Sequence, residues 1–286
     1  MRGTVWALLA IVALAGGAAA QGLGPQGGEI GADREQVWRI PSADASRPML
    51  TTVFRPPGGQ PRPLLVLNHG SPVSGRRQMP RQRFATASAW FVKQGYVVVV
   101  PLRRGYGETG GRWNESYGHC DVGDYYGAGI EAAKDVDAAV QFMRRQPFVL
   151  PDRTLIVGQS AGGWATVAYS ARNPAGVPAM VNFAGGRGGR NQNLPNNNCS
   201  PRKLIEAAAR FGRTARVPTL WIYTQNDSFF DPKLSRAMAD AYKAAGGNAD
   251  YRLLPAFGRD GHGLFGAAAG PAVWSPLVQR FIARHR

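Results

Sequence analysis

Leu155-Ile156-Val157-Gly158-Gln159-Ser160-Ala161-Gly162-Gly163 is the stretch whose reading decides the fold. Three β-favouring apolar residues lead into Gly-x-Ser-x-Gly, and a helix-compatible run follows to Arg172. A strand, a sharp turn and a helix in that order give the context in which Gly-x-Ser-x-Gly presents a nucleophilic serine. The turn is tight, so the flanking positions must be small, and Gly158 and Gly162 let strand and helix approach without a Cβ between them. Ser160 is the expected nucleophile.

Outward from this turn, short apolar runs alternate with helical patterns. Strands are expected at 36–40, 50–55, 64–67, 96–100, 154–157, 180–183, 219–223 and 251–254. Helices are expected at 82–93, 124–145, 161–172, 201–210, 232–245 and 271–284, several of them opening at proline. Runs such as Leu64-Leu65-Val66-Leu67 lack polar alternation, as strands buried on both faces do. The alternation predicts an α/β fold of one domain, with a mostly parallel central sheet flanked by helices.

A serine hydroxyl needs a base, and the chain has four histidines. His69 ends the run 64–67, His119 neighbours Cys120, and His285 is next to last. His262, in Asp260-Gly261-His262-Gly263, lies between the last strand and the last helix and is the expected base. Sheets that carry this nucleophile turn present the partners in the order serine, acid, histidine. Asp227, after the strand 219–223, is the expected acid. Asp231 is the alternative, although it precedes Pro232 and suits a helix N-cap; Asp260 is very close in sequence to His262. The oxyanion donors are expected from the N–H groups of Ala161 and Ser71, with His69 bracing the second loop.

Asn68-His69-Gly70-Ser71, Arg104-Gly105-Tyr106-Gly107, Gly158-Gln159-Ser160-Ala161-Gly162-Gly163, Asn226-Asp227 and Gly261-His262-Gly263 stand in one order across residues 50–284. In this set the chain resembles the dienelactone-hydrolase-like and prolyl-oligopeptidase-like branches of the α/β-hydrolase superfamily. The resemblance implies hydrolysis of esters or peptide bonds with no metal and no organic cofactor. Dienelactone hydrolases proper carry cysteine at the nucleophile, where this chain has Ser160, which argues against lactone specificity. Prolyl oligopeptidases carry a β-propeller ahead of the hydrolase domain; there is no room for one here, so a size-gated oligopeptidase is not expected.

Residues 184–200 leave 17 positions where many α/β hydrolases insert a lid, so no large lid is expected and the site should be fairly open. The loops 103–120 and 185–199 both follow parallel strands and should emerge at the edge that carries Ser160. Cys120 and Cys199 can then clip them together as a disulfide. The same loops carry Arg103, Arg104, Arg112, Arg187 and Arg190 with Tyr106, Trp113 and Tyr117. Arg104, Tyr106 and Trp113 are the expected substrate contacts, suited to an acidic or aromatic ester; a solvated arginine-rich surface is the alternative.

At the N-terminus Arg2, the apolar run 5–14 and Ala18-Ala19-Ala20 read as a signal peptide over residues 1–20, with an uncleaved anchor as the alternative. A loose Gly-rich lead-in is expected at 21–36 and the hydrolase domain at 37–286, in the periplasm or secreted. The net charge of +16 rests on arginine, since only five of the 34 basic residues are lysine, and no basic block marks a nucleic-acid partner. No segment predicts stable membrane insertion. A small-molecule ester is the expected substrate. A small peptide, cut by a serine peptidase or amidase, is the second reading, and a non-catalytic binding protein on the same scaffold is the third.

Overall fold

The computed structural model describes residues 22–285, so the expected signal peptide lies outside the described residues. The strands are β1 (Gly24–Pro25), β2 (Gln36–Ile40), β3 (Met49–Phe54), β4 (Arg62–Asn68), β5 (Val97–Pro101), β6 (Val149–Gln159), β7 (Ala179–Phe183), β8 (Thr219–Thr224) and β9 (Ala249–Leu254). The α-helices are α1 (Ala85–Lys93), α2 (Tyr125–Met143), α3 (Ala161–Ser170), α4 (Pro201–Gly212), α5 (Pro232–Ala244) and α6 (Gly270–Arg284). One sheet runs in the order β1-β2-β3-β5-β4-β6-β7-β8-β9. Its first three strands are antiparallel additions, and β5 through β9 are parallel.

Side chains alternate across this sheet. Leu64, Val66, Val97, Val99 and Ile156 point to a core shared with α2, α3, α4 and α5. Leu65, Leu67, Val98, Val100, Leu155 and Val157 point to a second core, closed by Phe91 of α1 and Trp274 of α6. Two covered faces explain why these strands are apolar throughout. The chain leaves β5 on one side of β4 and returns as β6 on the other. The order therefore reverses beside β4, where open α/β sheets hold their ligands.

Three departures from expectation stand out. β6 begins at Val149, five residues early, because Val149 and Leu150 pair with Arg62 and Pro63 of β4 before a register shift passes over the exposed Pro151-Asp152-Arg153. α1 begins at Ala85, after an extended segment held by Arg81 and Arg83 pairing with Glu35. The described part of the loose lead-in is tied down instead: Gly24 and Pro25 pair with Arg39 and Trp38, and Ile30 bridges Glu35.

Cys120 and Cys199 form a disulfide across 79 positions of sequence, joining the two loops as expected. Neighbouring contacts reinforce the junction. The Ser200 hydroxyl donates to the Cys120 carbonyl, the Tyr125 hydroxyl to the Cys199 carbonyl, and Lys203 Nζ to the Val122 carbonyl at 2.7 Å. Closing a loop of this length stabilises the fold by roughly 4 kcal/mol in the chain-entropy account. A Cys120→Ser/Cys199→Ser double variant should show about that loss in denaturant unfolding, and a loss below about 1 kcal/mol would mean that the hydrogen bonds alone hold the junction.

Candidate active site

Ser160 lies between the last residue of β6 and the first of α3, with φ 56° and ψ −123°. A side-chain-bearing residue is strained there and persists only where its surroundings enforce it. They do so by backbone contact. A Cβ on Gly158 would lie 2.1 Å from the Gly162 carbonyl oxygen, and one on Gly162 would lie 2.0 Å from that of Asn68. Hydrogen bonds complete the frame: Ser160 N–H donates to Phe183 at 2.9 Å, and the Ser160 carbonyl accepts from Trp164 at 2.9 Å and Gly186 at 3.2 Å.

His262 sits in a 3₁₀ turn, Gly261–Gly263, and is 8% exposed. Its Nδ1 lies 3.0 and 3.2 Å from the two Asp227 carboxylate oxygens. An Nδ1–H donated to Asp227 leaves the Nε2 lone pair available to accept a proton. Asp227 is fixed in turn by the N–H groups of Phe229 and Phe230, at 2.8 and 3.0 Å. The Phe229 ring stacks on the imidazole with centroids 4.0 Å apart.

The two alternative acids have other work. Asp231 caps α5, accepting from the N–H groups of Lys233 and Leu234. Asp260 accepts from the His262 N–H and from Ser228, and so holds the main chain of the histidine loop rather than its ring. Burial raises the Asp260 carboxyl, but the Ser228 hydroxyl and the His262 and Ser228 N–H groups outweigh it and hold it below its ordinary value. Gln159 Nε2 donates to the His262 carbonyl at 3.2 Å, linking this loop to the residue before Ser160.

The loop after β4 runs against the nucleophile turn, where a Cβ on Gly70 would stand 3.0 Å from Ser160 Cβ. Ser71 and Ala161 both line the pocket that Ser160 faces. Ala161 opens α3, so its N–H is one of the four that an α-helix leaves unpaired. His69 braces the β4 loop. Its Nδ1 donates to the Gly70 carbonyl at 2.7 Å, and its Nε2 accepts from the Arg103 N–H at 3.1 Å. Burial, with Arg103 adding to it, lowers the imidazole from 6.5 to about 3, so it stays neutral.

The pocket has a volume of about 370 Å³, and Trp113, Tyr117, Arg187, Arg190, Phe229 and Phe230 form much of its wall. Trp113 lies in this wall, with Arg76 stacked 4.6 Å over its ring. Arg104 and Tyr106 are not in that wall. The Arg104 side chain is buried against Asp135, which accepts from its Nε at 2.7 Å and from its backbone N–H at 3.0 Å. Tyr106 is fully buried, its hydroxyl donating to Glu115 at 3.0 Å and its ring edge-on to His69. Between them the chain turns at Gly105 with φ +84°, where a Cβ would lie 2.6 Å from the Trp113 Cα. Phe229, Phe230, Arg76 and Glu115 were missed. The two phenylalanines follow Asp227 directly, but nothing in a single sequence marks Glu115 as buried.

The family model described as prolyl oligopeptidase family matches residues 82–181. Dipeptidyl-peptidase 5 of Porphyromonas gingivalis is 30% identical over 140 residues, covering 48% of this chain; the chain spans 19% of that relative's length. A provisionally assigned dienelactone hydrolase of Klebsiella pneumoniae superposes with a TM-score of 0.60 at 19% identity, covering 87% of this chain and 98% of that one. The chain has the α/β-hydrolase fold. A cold-adapted esterase from an Arctic intertidal metagenomic library (TM-score 0.59, 13% identity, 91% and 98% covered) shares it. So does Pyrococcus horikoshii acylaminoacyl peptidase (TM-score 0.63, 16% identity, 90% and 42% covered). The proteins that share this fold thus include both esterases and peptidases.

Two outcomes test the site's framework. Gly162→Ala should cost at least about 2 kcal/mol in denaturant unfolding, because the added carbon meets backbone that has no room to move. The second concerns His69, whose pKa is lower folded than unfolded. Its contribution to stability is full above 6.5 and falls away as pH drops toward 3. Between pH 7 and pH 5 the wild type should lose about 2 kcal/mol more than His69→Gln, and equal losses would show that His69 takes up its proton without penalty.

Proposed function

We propose that the chain is an exported hydrolase of carboxylic esters that works through an acyl-enzyme on Ser160. The observation that carries this reading is the His262–Asp227 pair on the same sheet edge as a strained, pocket-facing Ser160. Ser160 Oγ attacks the ester carbonyl as its proton passes to His262 Nε2. Asp227 holds the imidazole in the productive tautomer and stabilises the imidazolium. The N–H groups of Ala161 and Ser71 receive the oxyanion. Collapse expels the alcohol, which takes the proton from His262. Water, activated by the same nitrogen, then releases the acid and restores Ser160.

Two features support an ester of modest size: the pocket of about 370 Å³, and likeness along nearly their whole length to the provisionally assigned dienelactone hydrolase and the Arctic esterase. The peptidase reading is favoured by the prolyl oligopeptidase match over 82–181 and by the dipeptidyl-peptidase relative. The disulfide supports an oxidising compartment. Among the described residues no helix is long and apolar enough to cross a membrane.

Fluorophosphonate labelling, with turnover of matched nitrophenyl esters and aminoacyl anilides, tests this. Wild type should label and favour esters, and Ser160→Ala should do neither. Asp227→Asn should lower kcat by roughly 10³- to 10⁴-fold. Asp231→Asn should leave kcat near wild type and cost only the few tenths to 1 kcal/mol of a weakened helix cap, roughly. Labelling that survives in Ser160→Ala would refute the assignment, and a preference for anilides would move the peptidase reading to first place.

A further inference from the structure

Beneath the pocket lies a charge cluster that the hydrolytic steps do not use. The Glu115 carboxylate accepts from Arg103 Nε and Nη2, from Arg187 Nη2 and from the Tyr106 hydroxyl. All four side chains are buried, Arg103 and Tyr106 completely. Burial alone would raise the Glu115 carboxyl, but Arg103 and Arg187 hold it down, at about 2, so it stays ionised. His69, beside the cluster, is neutral. Two guanidinium ions therefore share one carboxylate, and the cluster carries one positive charge in excess in a place where unpaired charge is costly.

The excess charge has open donors. Arg187 Nε and Arg103 Nη1 are buried and make no hydrogen bond among the described residues. Of the two arginines, Arg187 is the one that reaches the pocket wall. It follows Gly186, whose N–H donates to the Ser160 carbonyl at 3.2 Å, so its position is set directly by the nucleophile turn. Arg190 stands in the same wall, over the Phe229 ring. No acidic side chain lines this pocket. Asp227 does not answer the charge, since His262 and two backbone N–H groups already engage it.

We propose that Arg187 is a specificity-determining residue that receives a carboxylate of the substrate, so that the pocket selects anionic esters or peptides over neutral ones. A substrate carboxylate at the Arg187 part of the wall would accept from the unpaired, buried Nε–H and offset the cluster's excess charge in one charge-assisted contact. Glu115 keeps Arg187 from swinging into solvent, so the donor is held in place before substrate arrives. The carboxylate can belong to the acyl group or to the leaving group. The chemistry is the same, and the test separates the two.

This inference rests on the hydrolase reading for its kinetic arm, and a binding arm stands apart from it. In the kinetic arm, 4-nitrophenyl hemisuccinate is compared with the butyrate, and the butyrate ester of 4-hydroxybenzoate with that of its amide. At least one anionic member should exceed its neutral partner by about tenfold in kcat/KM. Arg187→Gln should remove that preference, and Arg187→Lys should restore part of it. The responding pair identifies the side that carries the carboxylate. In the binding arm, Ser160→Ala protein is titrated calorimetrically with succinate and succinamide, with and without Arg187→Gln, after circular-dichroism melting confirms that each variant is folded. Succinate should bind more tightly than succinamide, and only while Arg187 is present. If no ester is turned over and no fluorophosphonate label is taken up, the hydrolase reading falls, while succinate binding that depends on Arg187 still supports the anion site. Equal handling of anionic and neutral members in both arms, or an equal loss for both in Arg187→Gln, overturns the proposal.

Discussion

Asn68 and Gly162 pass each other with no space for a methyl group between them, and Gly158 meets Gly162 in the same way. Three backbone segments, the end of β4, the end of β6 and the start of α3, are thus in direct contact. That contact forces Ser160 into its strained conformation and turns its side chain to the pocket. It also sets where the β4 loop runs, and so where Ser71 lies relative to Ala161. The apolar cores on both sides of the sheet supply the stability that lets such strain persist.

Around this fixed point the polar groups are arranged in tiers. Asp227 holds the His262 ring, Asp260 holds its main chain, and Gln159 ties that loop back to the nucleophile strand. On the other side, His69 links the β4 loop to Arg103, and Arg103 to Glu115 and Arg187. A neutral buried imidazole thus connects the loop expected to hold the oxyanion with the cluster beneath the pocket floor.

The architecture was legible in sequence because its signals are local. Doubly buried strands lack polar alternation, helices open at Pro201 and Pro232, and Gly-x-Ser-x-Gly sits at a strand–helix junction. The partners of Ser160 could be proposed by elimination, since few histidines exist and Asp231 explains itself as a cap. What failed was the direction of side chains in the loop 103–120. Arg104 and Tyr106 look like surface contacts in a row of polar residues, yet their partners, Asp135 and Glu115, lie 31 and 9 positions away. Sequence spacing does not show which arginine of a pair turns inward, and the sheet edge at β1 depends on pairings that a Gly-rich stretch does not advertise.

The disulfide also divides the molecule topologically. Ser160 lies inside the covalent ring closed by Cys120 and Cys199, whereas Asp227 and His262 lie outside it. A single peptide-bond cut anywhere in the ring, including between Arg187 and Arg190 on the pocket wall, leaves both pieces joined and the nucleophile strand attached. A cut after Cys199 and before Asp227 leaves Asp227 and His262 tethered by packing alone. Under oxidising conditions, then, one nick inside the ring leaves Ser160 covalently joined to Asp227 and His262, whereas one nick between Cys199 and Asp227 does not.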